Sequence, residues 1–151
     1  MIEKSNAIAT LFNSMKAHVG ANETASLQTR LDLLKALRAG VLANKEKLIA
    51  AIDEDFDGRS SQESKLADII PTLGAIDYAI KNLAKWMQPQ KRRIAPQFMP
   101  AKNRLEFHPK GIVLIISPWN YPFSLSLLPL ASALAAGNRV ILKPSECSAH
   151  T

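Results

Sequence analysis

The sequence predicts an α/β fold in which a layer of amphipathic helices precedes a strand–helix–strand unit. Leucine and isoleucine recur every three or four residues over much of residues 27–87, which is helical spacing. Residues 111–143 then contain two short runs of β-branched residues and leucine on either side of a longer apolar segment. A strand, a helix and a strand in that order make a βαβ unit, which favours a parallel pair and a right-handed crossover. We therefore predict the first, incomplete part of a doubly wound α/β domain.

The helical layer is expected to contain three helices. Their apolar repeat covers only about three heptads, which is short for a coiled coil, so we expect the long helices to pack on the core of the domain. Glycine and proline mark the expected limits and kinks. The predicted elements are a helix over residues 1–20, a break at residues 22–25, a helix from Leu27 to an end at Gly58, and a helix over residues 62–87 that Pro71 kinks.

Metal, disulfide and export signals are absent from the sequence pattern. The acidic residues at 53–57 lack the glycine placement and final glutamate of a calcium loop, so we interpret them as a solvated helix end. A single cysteine, Cys147, cannot form an internal disulfide, and no Cys/His cluster has zinc-site spacing. The N-terminal residues contain no apolar run of signal-peptide length, so a cytoplasmic location is expected.

The net charge of +6 is concentrated in one stretch of the chain. Glu106 is the only acidic residue among the basic residues between Lys81 and Lys110. The few aromatic residues there do not alternate with the charges as a nucleic-acid stacking platform would. We therefore expect a solvated surface, or an edge that faces an acidic partner surface, and no nucleic-acid partner.

Prolines interrupt the same basic stretch from residue 89 to residue 110. Alternation of polar and apolar residues over 104–108 predicts a strand. Proline lacks the N–H that a central strand needs, so edge positions are expected.

The run from Gly111 to Asn138 contains no charged residue. Its length would suit a membrane span, but prolines within it would interrupt such a helix, and no membrane span is expected. We divide the run and the residues after it into three elements. These are a strand over Ile112–Ile116 that is buried on both faces, a helix over Pro122–Ala136 that Gly137 stops, and a strand over Arg139–Lys143.

Two polar side chains follow the predicted strands, and they are the first candidates for a site. Asn120 comes just after the first strand and Lys143 ends the second. Ligands of open α/β sheets bind at the carboxyl ends of the strands, where an amide and a cation would suit an anionic or oxyanionic ligand. An asparagine that satisfies its own loop and a lysine in solvent would fit the pattern equally well. The glycine fingerprint of dinucleotide-binding folds and the phosphate-binding P-loop are both missing, so the pattern alone leaves the cofactor open.

Four short motifs of the chain resemble those of the aldehyde dehydrogenases, in the order and spacing of that family. The likeness is most specific over residues 109–146, and the preceding helices also look like the family's N-terminal helical layer. Trp-Asn-Tyr-Pro and the short N-terminus are most similar to the class 3 branch, which includes bacterial coniferyl aldehyde dehydrogenases. The motifs are Pro109-Lys110-Gly111, Ser117-Pro118-Trp119-Asn120-Tyr121-Pro122, Ala135-Ala136-Gly137-Asn138 and Lys143-Pro144-Ser145-Glu146.

The resemblance implies an enzyme that oxidises an aldehyde to a carboxylic acid with NAD or NADP, through a thioester on a cysteine. It implies a Rossmann-like cofactor domain, an aldehyde substrate such as coniferyl aldehyde, and a homodimer. Residue by residue, Asn120 matches an oxyanion-hole donor, and Lys143 and Glu146 match the cofactor loop at the adenosine ribose. Further matches are Ile116, Ser117, Pro118 and Trp119 on the nicotinamide side of the cofactor site, and Tyr121 beside the substrate tunnel.

The family's nucleophilic cysteine and general-base glutamate would lie beyond residue 151. Cys147 does not match the nucleophile and is interpreted as a small packing residue, and the histidines His18, His108 and His150 as structural or surface residues. Segment 1–151 alone is therefore expected to be inactive. The alternative is a non-catalytic remnant that acts only through self-association.

The resemblance also divides the chain into three segments. They are a helical layer over 1–88, an extended basic segment over 89–110 with possible oligomerisation strands, and the start of the dinucleotide-binding domain over 111–151.

Overall fold

A computed structural model describes residues 2–19 and 24–151 of the chain, with side chains from residue 9 to 17 and from residue 24 onward. Residues 22 and 23 of the predicted break, and the side chain of His18, lie outside the described residues, whereas residues 24 and 25 are described and belong to no helix. The helices are α1 (Ile2–Val19), α2 (Leu27–Ala43), α3 (Lys45–Asp55), α4 (Ser61–Ser64), α5 (Ile70–Trp86) and α6 (Pro122–Ala135). The strands are β1 (Gln90–Arg92), β2 (Asn103–Leu105), β3 (Ile112–Ile116) and β4 (Arg139–Lys143).

The prediction of a single long helix from Leu27 to Gly58 is wrong, because the helix is interrupted at Asn44. The backbone N–H and the side-chain amide of Asn44 both donate to the carbonyl of Gly40, at 3.2 and 2.9 Å. Asparagine competes with helix continuation through such local bonds. The apolar spacing continues across the break because α2 and α3 bury residues in the same core, including Leu34 and Ile52.

Helix α3 ends at Asp55, three residues before Gly58, in a left-handed turn. Asp57 and Gly58 have φ values of 50° and 116°, and the N–H of Gly58 donates to the carbonyl of Asp53 at 3.1 Å. This bond pattern is typical of a Schellman turn at a helix end. We call residues 55–60 the α3–α4 connector.

The helix predicted over residues 62–87 is confirmed in place, and it contains one wide turn. Residues Lys65–Ile69 form a π turn between α4 and α5, just before Pro71. Proline has no N–H and its ring clashes with the carbonyl four residues earlier in an α-helix, and a π turn relieves that conflict. The turn contains Asp68, which is fully buried.

Helices α2, α3, α5 and α6 pack on one apolar core, as expected if the long helices do not form a coiled coil. Helix α5 contacts both α2 and α6. The core therefore joins the helical layer to the helix of the βαβ unit. Its buried members are Leu34, Val41, Ile49, Ile52, Ile69, Ile76, Ala79, Leu83, Phe123, Ala131 and Ala135.

The strand predicted over residues 104–108 is shorter and starts earlier than expected. Strands β1 and β2 form an exposed antiparallel ribbon in which Gln90 pairs with Leu105 and Arg92 with Asn103. The next partner of Glu106 would be Pro89, which has no N–H to extend the ladder. The ribbon therefore ends at Leu105.

The βαβ unit is confirmed, with β3 and β4 parallel and α6 as the crossover. Ile112 pairs with Arg139 and Ile116 with Lys143. The prediction that β3 is buried on both faces is wrong in this chain. Ile115 is buried, whereas Leu114 and Ile116 are 58% and 69% exposed. Side chains alternate between the faces of a strand, so one face of β3 is left largely open.

The uncharged run from Gly111 to Asn138 is divided between β3, a loop and α6. Within the described part of the chain, no helix combines the length and apolar character needed to cross a membrane.

Gly137 and Arg30 make a close contact that sequence analysis missed. The guanidinium of Arg30 is buried, and it donates to the carbonyl of Ala135 at the end of α6, at 3.0 Å. Burial lowers the pKa of Arg30. Gly137 has a φ of 85°, and a Cβ on it would lie 2.6 Å from Cζ of Arg30. Glycine is therefore required here by both backbone and space.

Candidate functional site

The candidate site lies at the carboxyl edge of the β3–β4 pair. Ile116 and Lys143 are register partners, and the N–H of Ser117 donates to the carbonyl of Lys143 at 3.2 Å. The hydroxyl of Ser117 is buried and accepts a hydrogen bond from Ser126 in α6 at 2.7 Å. These bonds fix the start of the loop over residues 117–121, which we call the Asn120 loop.

Asn120 is exposed in the middle of this loop. Its carbonyl accepts a hydrogen bond of 2.9 Å from Nη2 of Arg59. Among the described residues its side-chain amide makes no hydrogen bond, which disfavours the alternative in which this amide satisfies its own loop. The structure therefore leaves the amide free to donate to a ligand, at the edge where the sequence places it.

Lys143 and Glu146 form an ion pair at the same edge. The distance from Nζ to Oε2 is 2.5 Å, and both side chains are exposed. The hydrogen bond from Lys143, together with its charge, lowers the pKa of Glu146. The lysine thus has a partner close by in the chain.

The other predicted cofactor residues, and Tyr121 predicted beside the substrate tunnel, lie at the end of β3 and within the Asn120 loop. Ile116, Pro118 and Trp119 are exposed, Ser117 is buried, and Tyr121 is half-buried. The interpretation of Cys147 as a packing residue is wrong, because its side chain is exposed on the turn after β4. His108 and His150 lie at the surface, as expected.

Arg59 of the α3–α4 connector holds the Asn120 loop, and sequence analysis missed it. Its side chain is one-tenth exposed. Besides its bond to Asn120, its guanidinium carbon lies 4.8 Å from the ring centre of Tyr121 and 3.9 Å from that of Phe56. The rings of Phe56 and Trp119 are 6.3 Å apart. Residues 119–121 therefore rest on the connector.

Asp68 connects Arg59 to helix α6. Its Oδ1 accepts the backbone N–H of Ser124, in the first turn of α6, at 2.8 Å, where a negative charge is favoured by the helix dipole. Its Oδ2 lies 3.8 Å from Nη1 of Arg59. Neither of these two atoms, nor Oγ of Ser64, has a hydrogen-bond partner within the described residues.

A second contact joins the connector to the segment after β4. The carboxylate of Asp55 accepts hydrogen bonds from the backbone N–H groups of His150 and Thr151, at 2.9 and 2.8 Å, and from the Thr151 hydroxyl. Partial burial raises the pKa of Asp55, but these bonds outweigh burial and the net pKa is lowered. The interpretation of the acidic residues at 53–57 as a solvated helix end therefore fails at Asp55, whose carboxylate binds another segment of the chain.

One pattern in the sequence could have revealed the buried polar residues. Ser64, Asp68 and Thr72 recur at a spacing of four, and all three are fully buried. A polar stripe at helical spacing on the core side of a helix indicates residues that hold another element. No comparable pattern surrounds Arg59.

A separate cavity of about 590 Å³ lies away from the Asn120 loop, between α5, α6 and the β1–β2 ribbon. Its walls include Tyr78, Trp86, Phe107 and the buried Arg30. Neither Asn120 nor Lys143 contributes to it.

Comparison with known proteins assigns the family. Residues 3–151 match the sequence profile described as the aldehyde dehydrogenase family, and the chain belongs to that family. The resemblance drawn from the sequence motifs is therefore confirmed.

Named relatives agree with the class 3 and coniferyl resemblance. The chain is 43% identical over 149 residues to a probable coniferyl aldehyde dehydrogenase of Pseudomonas aeruginosa, covering 99% of this chain and 31% of that protein. It is 41% identical over 145 residues to aldehyde dehydrogenase family 3 member B2 of Mus musculus, covering 95% of this chain and 29% of that protein.

A solved structure agrees with the fold. The substrate-bound state of Staphylococcus aureus AldH superimposes with a TM-score of 0.90 at 32% identity, covering 95% of this chain and 31% of that chain. The chain spans about a third of the length of these proteins.

Proposed function

We propose that this chain supplies the N-terminal part of an enzyme that oxidises an aldehyde to a carboxylic acid with NAD or NADP. One observation carries the proposal. The exposed amide of Asn120 and the ammonium of Lys143 follow two parallel strands that are in register, at one sheet edge. Such a reaction needs both a donor for the oxyanion and groups that bind the cofactor.

Asn120 is the proposed oxyanion donor. When a cysteine thiolate attacks the aldehyde carbonyl, the oxygen gains negative charge, and an amide N–H held in advance stabilises that charge. The cysteine, and the glutamate base that activates water for thioester hydrolysis, would come from residues beyond position 151. Tyr121 would border the path of the aldehyde.

The residues at the sheet edge fit a dinucleotide. Lys143 and Glu146 offer a donor and an acceptor, which suit ribose hydroxyls. Exposed Ile116 and Trp119 offer apolar faces to a nicotinamide ring, beside Ser117 and Pro118. A nicotinamide held by these residues would supply the hydride acceptor for the reaction.

A substrate class and an assembly are part of the proposal. The names of the bacterial relatives support an aromatic aldehyde such as coniferyl aldehyde. Residues 89–110 would supply strands to a homodimer, beside a helical layer over 1–88 and a cofactor domain that starts at 111.

Self-association without catalysis is the second candidate, and the exposed ribbon favours it. All residues of β1 and β2 are exposed, and the outer edge of a strand carries backbone N–H and C=O groups that another strand can bond. Sedimentation of the chain alone would show dimers under this function, with no binding of NAD or NADP.

Sequencing of the encoding DNA past codon 151 tests the main proposal first. A frame that continues into a segment with a nucleophilic cysteine and a glutamate base supports the enzyme, which should then reduce NAD or NADP when given an aldehyde. A stop codon after Thr151 would leave the chain without its nucleophile and favour self-association.

A further inference from the structure

We propose that Arg59 is a positioning residue for Asn120, acting through the backbone of the Asn120 loop. This inference rests on the proposed role of the Asn120 amide. Arg59 belongs to none of the motifs that carry the family resemblance. The bond from Arg59 to the carbonyl of Asn120, and its packing on the neighbouring tyrosine ring, point to this role.

The geometry of Arg59 suits it to hold the backbone of the Asn120 loop in one position. The guanidinium lies close to the rings of Phe56 and Tyr121 while one nitrogen donates to Asn120. A planar, delocalised cation can pack on aromatic faces and donate in its own plane at the same time, which an ammonium group cannot. The bond is to the carbonyl of Asn120, so the side-chain amide stays available.

Two carboxylates hold the guanidinium itself. Glu63 lies 3.4 Å away and Asp68 lies 3.8 Å away. Asp68 also accepts the backbone N–H of Ser124, in the first turn of α6. One buried carboxylate therefore contacts both Arg59 and the helix that follows the Asn120 loop. The start of the loop is fixed separately, through Ser117 and Lys143.

The position of an oxyanion donor has a strong effect on rate. A misplacement of about 1 Å at a reacting centre can cost on the order of 10²-fold in rate. Loss of Arg59 should therefore lower kcat by roughly 10- to 100-fold. This decrease is no larger than the one expected when the oxyanion donor itself is removed. The KM for NAD or NADP should change less than kcat, because the Lys143–Glu146 pair proposed for the ribose does not contact Arg59.

The test compares Arg59→Ala with Arg38→Ala in the active enzyme that contains this chain. Arg38 is a matched control, since it pairs with Asp77 at 2.6 Å on the exposed surface. We expect kcat to fall only in Arg59→Ala, and low, non-denaturing concentrations of guanidinium ion to restore part of it. Sodium chloride at the same ionic strength should not.

Arg59→Lys provides the second variant, which keeps the charge and loses the planar fork. We expect it to fold and to have a kcat between those of Arg59→Ala and the unchanged enzyme. The proposal is overturned if kcat stays within about twofold in both variants, or if each loss of kcat equals the loss of folded protein.

A readout without catalysis separates this inference from the proposed function. Acrylamide quenching of Trp119 is obtained as the difference between an enzyme and the same enzyme with Trp119→Phe. Arg59→Ala should make Trp119 more accessible to acrylamide. Unchanged quenching refutes the positioning role even if the enzyme is inactive, whereas an inactive enzyme with increased quenching refutes only the proposed function.

Discussion

The carboxylate of Asp68, inside a helix, accepts the backbone N–H of Ser124 at 2.8 Å and so caps a different helix. The capping group of a helix usually comes from the residue just before it, but residue 121 of this chain is a tyrosine whose side chain makes no capping bond. The π turn before Pro71 contains Asp68, and the cap of α6 is supplied from that turn.

Asp68→Ala should lower the free energy of unfolding substantially. It removes the cap of α6 and leaves the nearby guanidinium of Arg59 without its buried carboxylate, and losses of this kind cost about 3–5 kcal/mol. Asp68→Asn keeps an acceptor and should cost less. Denaturant unfolding measures both, with Asp77→Ala as an exposed control of about 0–1 kcal/mol. Equal losses for Asp68→Ala and Asp77→Ala would contradict the assignment.

Gly137→Ala should destabilise the chain by about 1–3 kcal/mol, because its backbone is left-handed and a Cβ would meet the Arg30 guanidinium. Gly74→Ala is the matched control, since no atom lies within 4 Å of the added carbon. There the change should stabilise helix α5 by roughly 0.4–1 kcal/mol. Thermal unfolding of the two variants measures the difference, and the same sign for both would count against this account.

Asn120→Ala should lower the turnover of the active enzyme by roughly 10²–10³, which is the usual effect of one oxyanion donor. Steady-state kinetics with an aldehyde and NAD or NADP measure it. Asn82→Ala is the control, because Asn82 lies in α5, outside the Asn120 loop, and its side-chain amide donates to the carbonyl of Tyr78 in the same helix. Unchanged turnover in Asn120→Ala would remove Asn120 from the reaction.

The stabilising contribution of Asp55 should depend on pH in one direction. Its pKa is lowered in the folded chain from an ordinary value of 3.8. A lowered carboxyl pKa stabilises the folded state above the unfolded-state pKa, and the effect is lost as the pH falls through the folded-state pKa. The free energy of unfolding of Asp55→Asn should thus be lower than that of the unchanged chain near neutral pH, and the two should converge in acid. Asp53→Asn, an exposed change in the same helix, is the control.

The elements of the βαβ unit could be predicted from sequence because local signals agree there. Pro122 begins α6, Gly137 ends it, and β-branched runs flank it. The break at Asn44 could not be predicted in the same way. The apolar spacing continues through it, and the interruption shows only in the backbone of Asn44, whose φ and ψ are −108° and 10°, and in the bond from its side-chain amide to the carbonyl of Gly40.

The candidate site was only partly accessible to sequence reasoning. Asn120 and Lys143 follow strands, and a strand end is visible in the pattern. Arg59 is distant in sequence and lies in a turn, so its contact with Asn120 depends on how the α3–α4 connector packs against the Asn120 loop. Sequence patterns describe residues that are neighbours along the chain, so they do not report such packing.

The α3–α4 connector has a consequence for recombination between related enzymes. Asp55 binds the segment after β4, and Arg59 binds the Asn120 loop. A hybrid joined anywhere between residues 60 and 116 would take the connector from one parent and both loops from the other. Such hybrids should lose function more often than those joined before residue 55, because a join before residue 55 leaves both pairs of partners intact.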